Sequence, residues 1–488
     1  MKKIISLLLA AAMIIGICLP AFAQSAADTP EPALSPAGDY PVIIVRGMDF
    51  TGLYLNYGKE NEHTCLGDVN IGKILKAVGS ALFTKLFKND RKAATHILIE
   101  ALMPIFEGYA CNEDGSSKYE VGTEKLPGAI GQYPEFFERE TYEFGITRTA
   151  AETFGADKVY YFNYDWRMNP LDIADEINET VERALAEHNC DKVNIVNCSM
   201  GGVMTVGYLT KYGCEKVNRL ICVSSTWCGT YVTSDLLQGK VVIDETILYS
   251  YLLHLNDNFA FRGLIKALKF TGAIKLVTKL AGKFVANNKD QVFDEMMIPI
   301  FGNMLSVWAL VLPDDYDACI KYVFERPGTR EARAEFIAKA DELQEMMRNR
   351  DAMIKNAVAE GLEIEVVTSY NSAVAPVYER SYVNGDAALE TPLMSGYATI
   401  APLGKTLENA DTSSPYVSPD KVCDSSSALY PDNTWIIKDA PHVSGSYGTD
   451  SAEFYMWLLS ADKPDVNSNA DYPAFMVSDS SQTLKRWN

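Results

Sequence analysis

The sequence has few basic side chains, few histidines and no paired cysteine motif. Among its 488 residues, 44 Lys and Arg face 64 Asp and Glu, which gives a net charge of −20. Because nucleic-acid phosphates require a basic surface, we do not expect this chain to bind nucleic acid. The ten cysteines include no Cys-x-x-Cys pair, so they indicate neither a zinc site nor a disulfide scaffold. We therefore predict no metal and no cofactor.

Long apolar runs are also missing, except at the N-terminus. Residues 1–23 combine a basic start, an apolar run and a final Ala-Phe-Ala. These features are typical of a bacterial-type secretory signal, so we expect cleavage after Ala23 and a secreted, extracellular protein. A lipoprotein signal at Cys18 is the weaker alternative, because Ile17 is bulky for that processing site. Residues 24–38 are rich in Ala, Pro and Ser, which predicts a short flexible linker.

The clearest pattern that is present is the segment 193–202, Val-Asn-Ile-Val-Asn-Cys-Ser-Met-Gly-Gly. Its β-branched start predicts a buried strand, small residues surround Ser199, and Val203–Tyr212 predicts a helix that ends at Gly213. A strand, a sharp turn with a central serine and a helix are the context of a nucleophile elbow. Position 197 is Asn where Gly is usual, so the alternative is a serine in an ordinary strand-to-helix turn.

Strand and helix patterns alternate on both sides of this segment. Further strands are predicted at 40–45, 159–164, 217–224, 364–368 and 435–438. Helices of about 15 residues between them predict a parallel α/β sheet. The alternation lapses between two of the strands, which predicts a helical cap over the C-terminal ends of the strands. The predicted domains are the signal peptide 1–23, the linker 24–38, a core of 39–230 and 351–488, and a cap of 231–350.

Two helical segments are basic and amphipathic. The segment 262–289 has seven Lys and Arg, no acidic residue and interleaved Leu, Ile and Phe, and the segment 71–92 is likewise basic and amphipathic. In such an acidic chain, this pattern indicates peripheral contact with an anionic membrane or lipid surface. The alternative is a pair of ordinary helices that turn a basic face to solvent and an apolar face to the core.

A serine nucleophile needs a base, and histidine is scarce in this chain. In folds with a nucleophile elbow, the chain order is serine, then acid, then histidine. Only His442 follows the last predicted strand, so we predict it as the base. The other four histidines are predicted to be surface or packing residues. They are His63, His96, His188 and His254.

The acid is expected after the strand at 364–368 and before His442. The candidates are Asp386, Asp411, Asp420, Asp424 and Asp432. The stretch 418–427 resembles the Asp-Gly-x-Val…Ser pattern that carries the acid in many lipases. Aligned on its last serine, this stretch predicts Asp420 as the acid and Asp424 as the alternative. Asp420 follows a proline, so it is also compatible with a turn-forming role.

The tetrahedral intermediate of acyl transfer needs N–H donors beside the serine. One is expected from the backbone of Met200, directly after the nucleophile. The other is expected from the backbone of Met48, in the loop after the first strand. Arg46, at the mouth of this loop, is predicted either to meet a substrate carboxylate or phosphate or to form a structural salt bridge.

With these residues assigned, the chain resembles the lecithin:cholesterol acyltransferase-like family of α/β-hydrolases. The resemblance is carried by Tyr164-Asp-Trp-Arg167 one helix before the elbow, by the Ser-Met-Gly-Gly elbow, by Pro41–Val45 with Gly47, and by the spacing of Asp420 and His442. It implies an α/β-hydrolase fold with a parallel central sheet and a large, mainly helical cap insertion.

The resemblance covers residues 40–225 and 362–460, and no family motif covers the cap. The chain departs from the family at Asn197 and Lys421, where glycine is usual, and at Arg46, where proline or histidine is common. None of these departures removes a member of the predicted triad. They bear on substrate class and rate more than on chemistry.

Such a family implies that Ser199 takes an acyl group from a lipid or ester, that His442 moves the proton, and that Asp420 orients the histidine. We predict a secreted serine lipase or esterase that hydrolyses acyl esters of lipids. One alternative is a lipid O-acyltransferase of the same mechanism. Another is a degenerate, lipid-binding protein of the same fold, which the three departures would support. A serine peptidase of the same fold would be expected to have a propeller domain or a simpler cap, and the sequence shows neither.

Overall fold

The computed structural model describes most of the chain after the N-terminal segment. The described residues are 40–139, 145–254, 259–326, 328–444, 451–479 and 483–487. The predicted signal peptide and linker, 1–38, lie outside them.

The strands of the described residues are short, apart from those of the central sheet. In chain order they are β1 (Val42–Val45), β2 (Tyr54–Leu55), β3 (His63–Thr64), β4 (Val121–Gly122), β5 (Val159–Phe162), β6 (Val193–Cys198), β7 (Val217–Val223), β8 (Glu363–Tyr370), β9 (Ser372–Ala373), β10 (Asn384–Gly385), β11 (Thr399–Ile400), β12 (Cys423–Asp424), β13 (Thr434–Lys438), β14 (Phe475–Ser478) and β15 (Leu484–Arg486).

The helices surround this sheet and build the insertion between β7 and β8. In chain order they are α1 (Ile71–Phe83), α2 (Arg91–Phe106), α3 (Pro134–Arg139), α4 (Gly145–Phe154), α5 (Pro170–His188), α6 (Gly201–Tyr212), α7 (Tyr231–Leu237), α8 (Glu245–His254), α9 (Phe259–Phe270), α10 (Ala273–Val292), α11 (Leu305–Ala309), α12 (Tyr316–Phe324), α13 (Thr329–Ala332), α14 (Ala334–Ala359), α15 (Thr391–Met394) and α16 (Ser451–Ser460). Two π-helical segments, Thr84–Lys88 and Phe293–Gly302, extend α1 and α10.

Eight strands form one sheet in the order β15-β14-β13-β8-β7-β6-β1-β5. Each neighbouring pair is parallel except β14 and β15. Side chains of β1 alternate between two cores, with Ile43 and Val45 in one and Val42 and Ile44 in the other. Helices therefore cover both faces, which is why these strands read as continuous apolar runs. The sheet confirms the predicted α/β class.

The helix α5 brings the chain back to the sheet so that β6 can pair with β1. It begins at Pro170, where the Asn169 side chain accepts a hydrogen bond from the N–H of Leu171, and it ends at Asn189 with a left-handed backbone. Its apolar face packs against α6, the helix that follows the predicted nucleophile. The crossover thus fixes the position of the elbow.

The insertion between β7 and β8 is packed in two ways. Trp308, Phe324 and Phe336 lie in the same core as the helices that cover the sheet. In contrast, α8, α9 and α10 share a small apolar cluster of their own, centred on Leu248 and Ile274. The helix α10 also packs against α2, so helices from before and after the central strands in the sequence form one helical layer. Among the described residues, no helix has both the length and the apolarity needed to cross a bilayer.

Cysteine has a packing role in this fold. All nine cysteines of the described residues are free thiols, and eight of them are buried. Burial raises the pKa of several of these thiols, including that of Cys228 to about 11. Buried thiols of this kind behave as small apolar residues and not as nucleophiles.

Candidate active site

Ser199 lies in a sharp turn between β6 and α6. Its φ of 51° is in the left-handed region, which a residue with a side chain rarely adopts. The turn is held from outside, because the Ser199 N–H donates to the carbonyl of Val223 at 3.1 Å. The Ser199 carbonyl accepts from the N–H of Thr226 at 2.9 Å. A strained serine between a buried strand and a helix is the geometry of a nucleophile elbow.

The two glycines after the serine are required by close backbone contacts. A Cβ atom at Gly201 would lie 2.4 Å from the carbonyl oxygen of Val45. A Cβ atom at Gly202 would lie 2.8 Å from the backbone nitrogen of Trp227. Both distances are far below van der Waals contact, so only glycine lets the helix start this close to the sheet.

Asn197 replaces the first glycine of the usual elbow motif without disturbing the strand. It pairs with Val45 on one side and Cys222 on the other, both in regular parallel register. Its side-chain amide donates to the sulfur of Cys222 at 3.5 Å, and its side-chain oxygen is buried without a hydrogen-bond partner among the described residues. The larger side chain is therefore accommodated beside β7.

The loop after β1 passes directly against the predicted nucleophile. A Cβ atom at Gly47 would lie 2.7 Å from Cβ of Ser199. Met48 is the next residue, and within the described residues its N–H has no hydrogen-bond acceptor. The same is true of the N–H of Met200, at the start of α6. The structure thus places both predicted oxyanion donors in segments that border Ser199.

Side-chain donors from the Tyr-Asp-Trp-Arg stretch hold the carbonyl groups of this loop. The hydroxyl of Tyr164 donates to the carbonyl of Arg46, and the indole N–H of Trp166 donates to that of Asp49, each at 2.9 Å. The hydroxyl of Tyr109, from outside this stretch, donates to the carbonyl of Phe50, the residue after Asp49. These hydrogen bonds fix the loop through its carbonyl groups, while the N–H of Met48 stays available.

The two arginines of this region are structural. Arg46 forms a salt bridge with Asp49 at 2.5 Å and donates to the side-chain oxygen of Asn163 at 2.9 Å. Of the two roles predicted for Arg46, the structure therefore shows the salt bridge. Arg167 is fully buried and pairs with Asp165 at 2.6 Å. Arg167 also donates to the carbonyl of Tyr109, the residue whose hydroxyl holds the loop after β1.

His442 lies in the loop that follows β13. Its Nδ1 atom is 2.7 Å from a carboxylate oxygen of Asp386. A carboxylate only accepts hydrogen bonds, so Nδ1 carries the proton and Nε2 is left as the acceptor in the neutral ring. The N–H of Val443 donates to the hydroxyl of Ser224 at 3.1 Å. Ser224 directly follows Val223, whose carbonyl accepts from the N–H of Ser199.

Asp386 is fixed by a tight turn after the two-stranded ribbon of β9 and β10. One oxygen of its buried carboxylate accepts the N–H groups of Ala388 and Leu389, at 3.0 and 2.8 Å. The other oxygen faces His442. A Cβ atom at Gly385 would lie 2.3 Å from the Leu389 carbonyl, so this turn requires glycine directly before the acid.

Asp420, predicted as the triad acid, does not contact His442. Its carboxylate pairs with Lys438 at 3.0 Å and accepts from the hydroxyl of Tyr370 at 3.0 Å. Asp424, the predicted alternative, caps a short helical turn by accepting from the N–H of Ser426. The carboxylate that meets the histidine is therefore Asp386, which is a correction of the sequence-based assignment.

Glu390 is a further buried carboxylate of this region that sequence patterns did not indicate. It accepts the N–H groups of Tyr231 and Val232, at 3.2 and 2.8 Å, where α7 begins. Burial raises its pKa to about 7, against the effect of the hydrogen bonds that it accepts. It joins the loop of Asp386 to the first helix of the insertion.

The remaining histidines lie elsewhere. His63 is exposed in a short strand, and His188 contacts the hydroxyl of Tyr160 at the end of α5. His96 is exposed on α2, and its hydrogen bond to Glu295 raises its pKa. The side chain of His254 lies outside the described part of the structure. The described residues also contain no group of three His, Cys, Asp or Glu side chains suited to a metal ion.

The elements that carry the candidate residues follow a recognisable order. The serine follows β6, the carboxylate follows β8 and the histidine follows β13, all at the C-terminal edge of a parallel sheet with the order β13-β8-β7-β6-β1-β5. The chain has an α/β-hydrolase fold. A large helical insertion separates β7 from β8.

Comparison with known proteins gives no family assignment. No family model matches, and no curated protein matches. The similar solved structures include the Tle4–Tli4 complex, with a TM-score of 0.26 and 10% identity, covering 68% of this chain and 75% of that one. They also include CumD, a meta-cleavage product hydrolase, with a TM-score of 0.14 and 14% identity, covering 43% of this chain and 55% of that one. A carboxylesterase from Nitrososphaera gargenis has a TM-score of 0.15 and 15% identity, covering 48% of this chain and 89% of that one.

Proposed function

We propose that this protein is a secreted serine hydrolase that cleaves acyl esters of lipids. The observation that carries the proposal is the anchoring of two loops on consecutive residues of one strand end. Val223 holds the strained Ser199, and Ser224 holds the loop of His442, whose ring is oriented by Asp386. A nucleophile, a base and an orienting acid on adjacent strand ends are the parts that acyl transfer needs.

In the proposed mechanism, the hydroxyl oxygen of Ser199 attacks the ester carbonyl while Nε2 of His442 takes the proton. The buried carboxylate of Asp386 stabilises the imidazolium that forms. The N–H groups of Met48 and Met200 stabilise the negative charge on the carbonyl oxygen. The imidazolium then protonates the departing alcohol, and an acyl-enzyme remains. Water, deprotonated by the same histidine, releases the fatty acid and restores the serine.

Among the hydrogen bonds of the described residues, none joins Ser199 Oγ to Nε2 of His442. Catalytic hydrogen bonds are often long in unliganded enzymes and shorten when substrate binds. The proposed mechanism therefore requires the two groups to approach within hydrogen-bond distance in the substrate complex. The ordered carboxylate contact on Nδ1 supports a catalytic histidine over a degenerate site.

The lipid substrate, the family likeness and secretion are also part of this proposal. The lipid substrate and the likeness to the lecithin:cholesterol acyltransferase-like family rest on the Tyr-Asp-Trp-Arg stretch and the elbow, both of which border the same loop. Secretion rests on the N-terminal sequence. It predicts a mature protein that begins at Gln24, which N-terminal sequencing of the exported protein checks.

Hydrolysis of p-nitrophenyl esters across acyl chain lengths tests the proposed function. We expect Ser199→Ala to lower kcat/KM by about 10³-fold or more, because no other hydroxyl replaces the nucleophile. Ser460→Ala, which removes a hydroxyl at the end of α16, is the matched control and should leave the rate unchanged. Equal rates in wild type and Ser199→Ala would overturn the proposal.

Adding an alcohol to the same assay separates hydrolysis from acyl transfer. The proposal expects free fatty acid as the main product in both the absence and the presence of the alcohol. Accumulation of a new ester, with little fatty acid, would identify an O-acyltransferase of the same mechanism instead.

A further inference from the structure

The helical hairpin formed by α9 and α10 ends in an exposed aromatic residue. Phe270, the last residue of α9, has 94% of its surface exposed. Gly272, with a φ of 72°, then reverses the chain into α10. Leu264 and Leu276 are also exposed, one on each helix. An apolar tip of this kind loses the stabilisation that burial would give, so it indicates a surface that something else covers.

The same hairpin carries unpaired positive charge. Lys266, Lys275, Lys279 and Lys283 are exposed and have no carboxylate partner within ion-pair distance among the described residues. The chain as a whole has a net charge of −20, so this concentration of lysine is a local reversal of sign. Phenyl rings and lysines together match the chemistry of a lipid headgroup region with negative charge.

A second segment of the same helical layer repeats the combination. Phe83 and Phe87 stack on each other with ring centroids 4.7 Å apart, and both are exposed. They flank Lys85 and are followed by Lys88, which are exposed as well. This segment extends α1, which packs on α2, and α2 packs on α10. The aromatic and basic pattern therefore recurs within one packed unit.

The hairpin is connected to the loop that presents Asp386. Ile247 and Tyr251 of α8 form a buried cluster with Ala373 of β9. The strand β9 pairs with β10, which leads directly into Asp386. The helices α8, α9 and α10 share one apolar cluster, so the hairpin is joined by packing, through α8 and β9, to the ribbon that carries Asp386.

We propose that the tip of the α9–α10 hairpin docks the protein on an anionic lipid surface, with Phe270 inserted at the headgroup level and the lysines against the phosphates. A symmetric contact with a second copy would place lysines against lysines, which disfavours that occupant. The proposal does not depend on ester cleavage, because no residue of the hairpin belongs to the candidate site. Its test is therefore separate from that of the proposed function.

The test is sedimentation of the full mature chain with vesicles of phosphatidylcholine alone or mixed with phosphatidylglycerol. A Ser199→Ala background keeps the lipids intact. We expect binding only to the mixed vesicles, and weaker binding at high salt. Phe270→Ser should weaken it about tenfold, since it removes one inserted ring. Lys266→Gln with Lys275→Gln should weaken it by about fivefold for each lysine.

Matched controls and a second readout keep the outcome unambiguous. Lys355→Gln with Lys405→Gln removes two exposed lysines outside the hairpin and should leave binding unchanged. Thermal unfolding of each variant should match that of wild type, because the replaced side chains are exposed. Equal binding to both vesicle types, no binding, or unchanged binding by the hairpin variants would overturn the proposal. A concentration-dependent dimer that Phe270→Ser abolishes would overturn it too, since the tip would then contact another copy.

Discussion

Two loops after β8 each present an aspartate, and they use it differently. In the first, a two-stranded ribbon and a tight turn direct the buried carboxylate of Asp386 to His442. In the second, the carboxylate of Asp420 is partly exposed and pairs with Lys438 at the end of β13. The first loop leaves its second oxygen for the histidine. In the second loop the carboxylate is paired with a lysine and accepts hydrogen bonds from a tyrosine and a serine hydroxyl.

The difference shows that the partners of a carboxylate decide its role. A triad acid must stay ionised, fixed and free to accept one strong bond from the imidazole. Two backbone N–H groups fix one oxygen of Asp386, and the other oxygen accepts from His442, as the proposed triad requires. Asp420 ties its loop to the sheet instead. Position in the chain permitted either residue, and only the three-dimensional contacts distinguish them.

The strongest way to break this comparison is to replace Asp386. Asp386→Asn preserves shape but removes the charge that holds His442 in the reactive tautomer. We expect kcat/KM for a soluble p-nitrophenyl ester to fall by about 10³- to 10⁴-fold. If activity survives this change and is lost in Asp420→Asn, Asp420 is the acid, as the sequence predicted, and the contact between His442 and Asp386 has no catalytic role.

A smaller effect is expected from the donors that hold the loop after β1. Tyr164→Phe and Trp166→Phe each remove one hydrogen bond to a loop carbonyl and keep an aromatic ring in the core. We expect a fall of about tenfold in kcat with little change in KM, because the oxyanion donors act mainly in the transition state. A rise in KM alone would show that these residues shape the substrate pocket instead.

Asp420→Asn sharpens the comparison from the other side. It breaks the pair with Lys438, which is about three-quarters buried, and weakens the bond from Tyr370. We expect the free energy of unfolding to fall by about 1 kcal/mol, measured by urea denaturation. The rate of ester hydrolysis should stay within about threefold of wild type, since no reacting group is moved.

A third carboxylate, Glu365 on β8, lies outside both loops and should make the stability of the fold depend on pH. Burial raises the pKa of Glu365 to about 8, and the nearby Arg219 opposes the rise. A raised pKa in the folded state means that stability present at acid pH is lost as the pH rises toward 8. Glu365→Gln should therefore flatten the fall of Tm between pH 5 and pH 9, whereas exposed Glu408→Gln should not. Parallel curves for wild type and Glu365→Gln would contradict this.

The sheet and the elbow were predictable because their signals are local. β-branched runs, the glycines after Ser199 and the apolar face of α5 each reflect neighbours within a few residues. These signals were sufficient for a parallel α/β sheet, and the family resemblance implied the α/β-hydrolase fold, which the structure confirms. His442 could be predicted as the base because histidine is scarce in this chain and only His442 follows both the serine and the last predicted strand.

The carboxylate partner of His442 was not predictable in the same way. The Ser-Pro-Asp stretch at 418–420 has the composition of a catalytic loop, but its carboxylate pairs with Lys438, a partner that no short motif reveals. The available signal was Gly385, a glycine directly before an aspartate in the loop closest to the end of β8. Glu390 and Ser224 were missed for a related reason, because each acts through contacts with segments more than 150 residues away.

The end of β7 is a shared anchor for the serine and the histidine of the proposed triad. Val223 and Ser224 are consecutive, and each receives one N–H, from Ser199 and from Val443. A displacement of this strand end would carry the serine and the histidine loop in the same direction, so their separation would change less than the position of either one. Neither of these two hydrogen bonds involves a residue of the helical insertion, so the sheet, and not the insertion, holds the two loops in alignment.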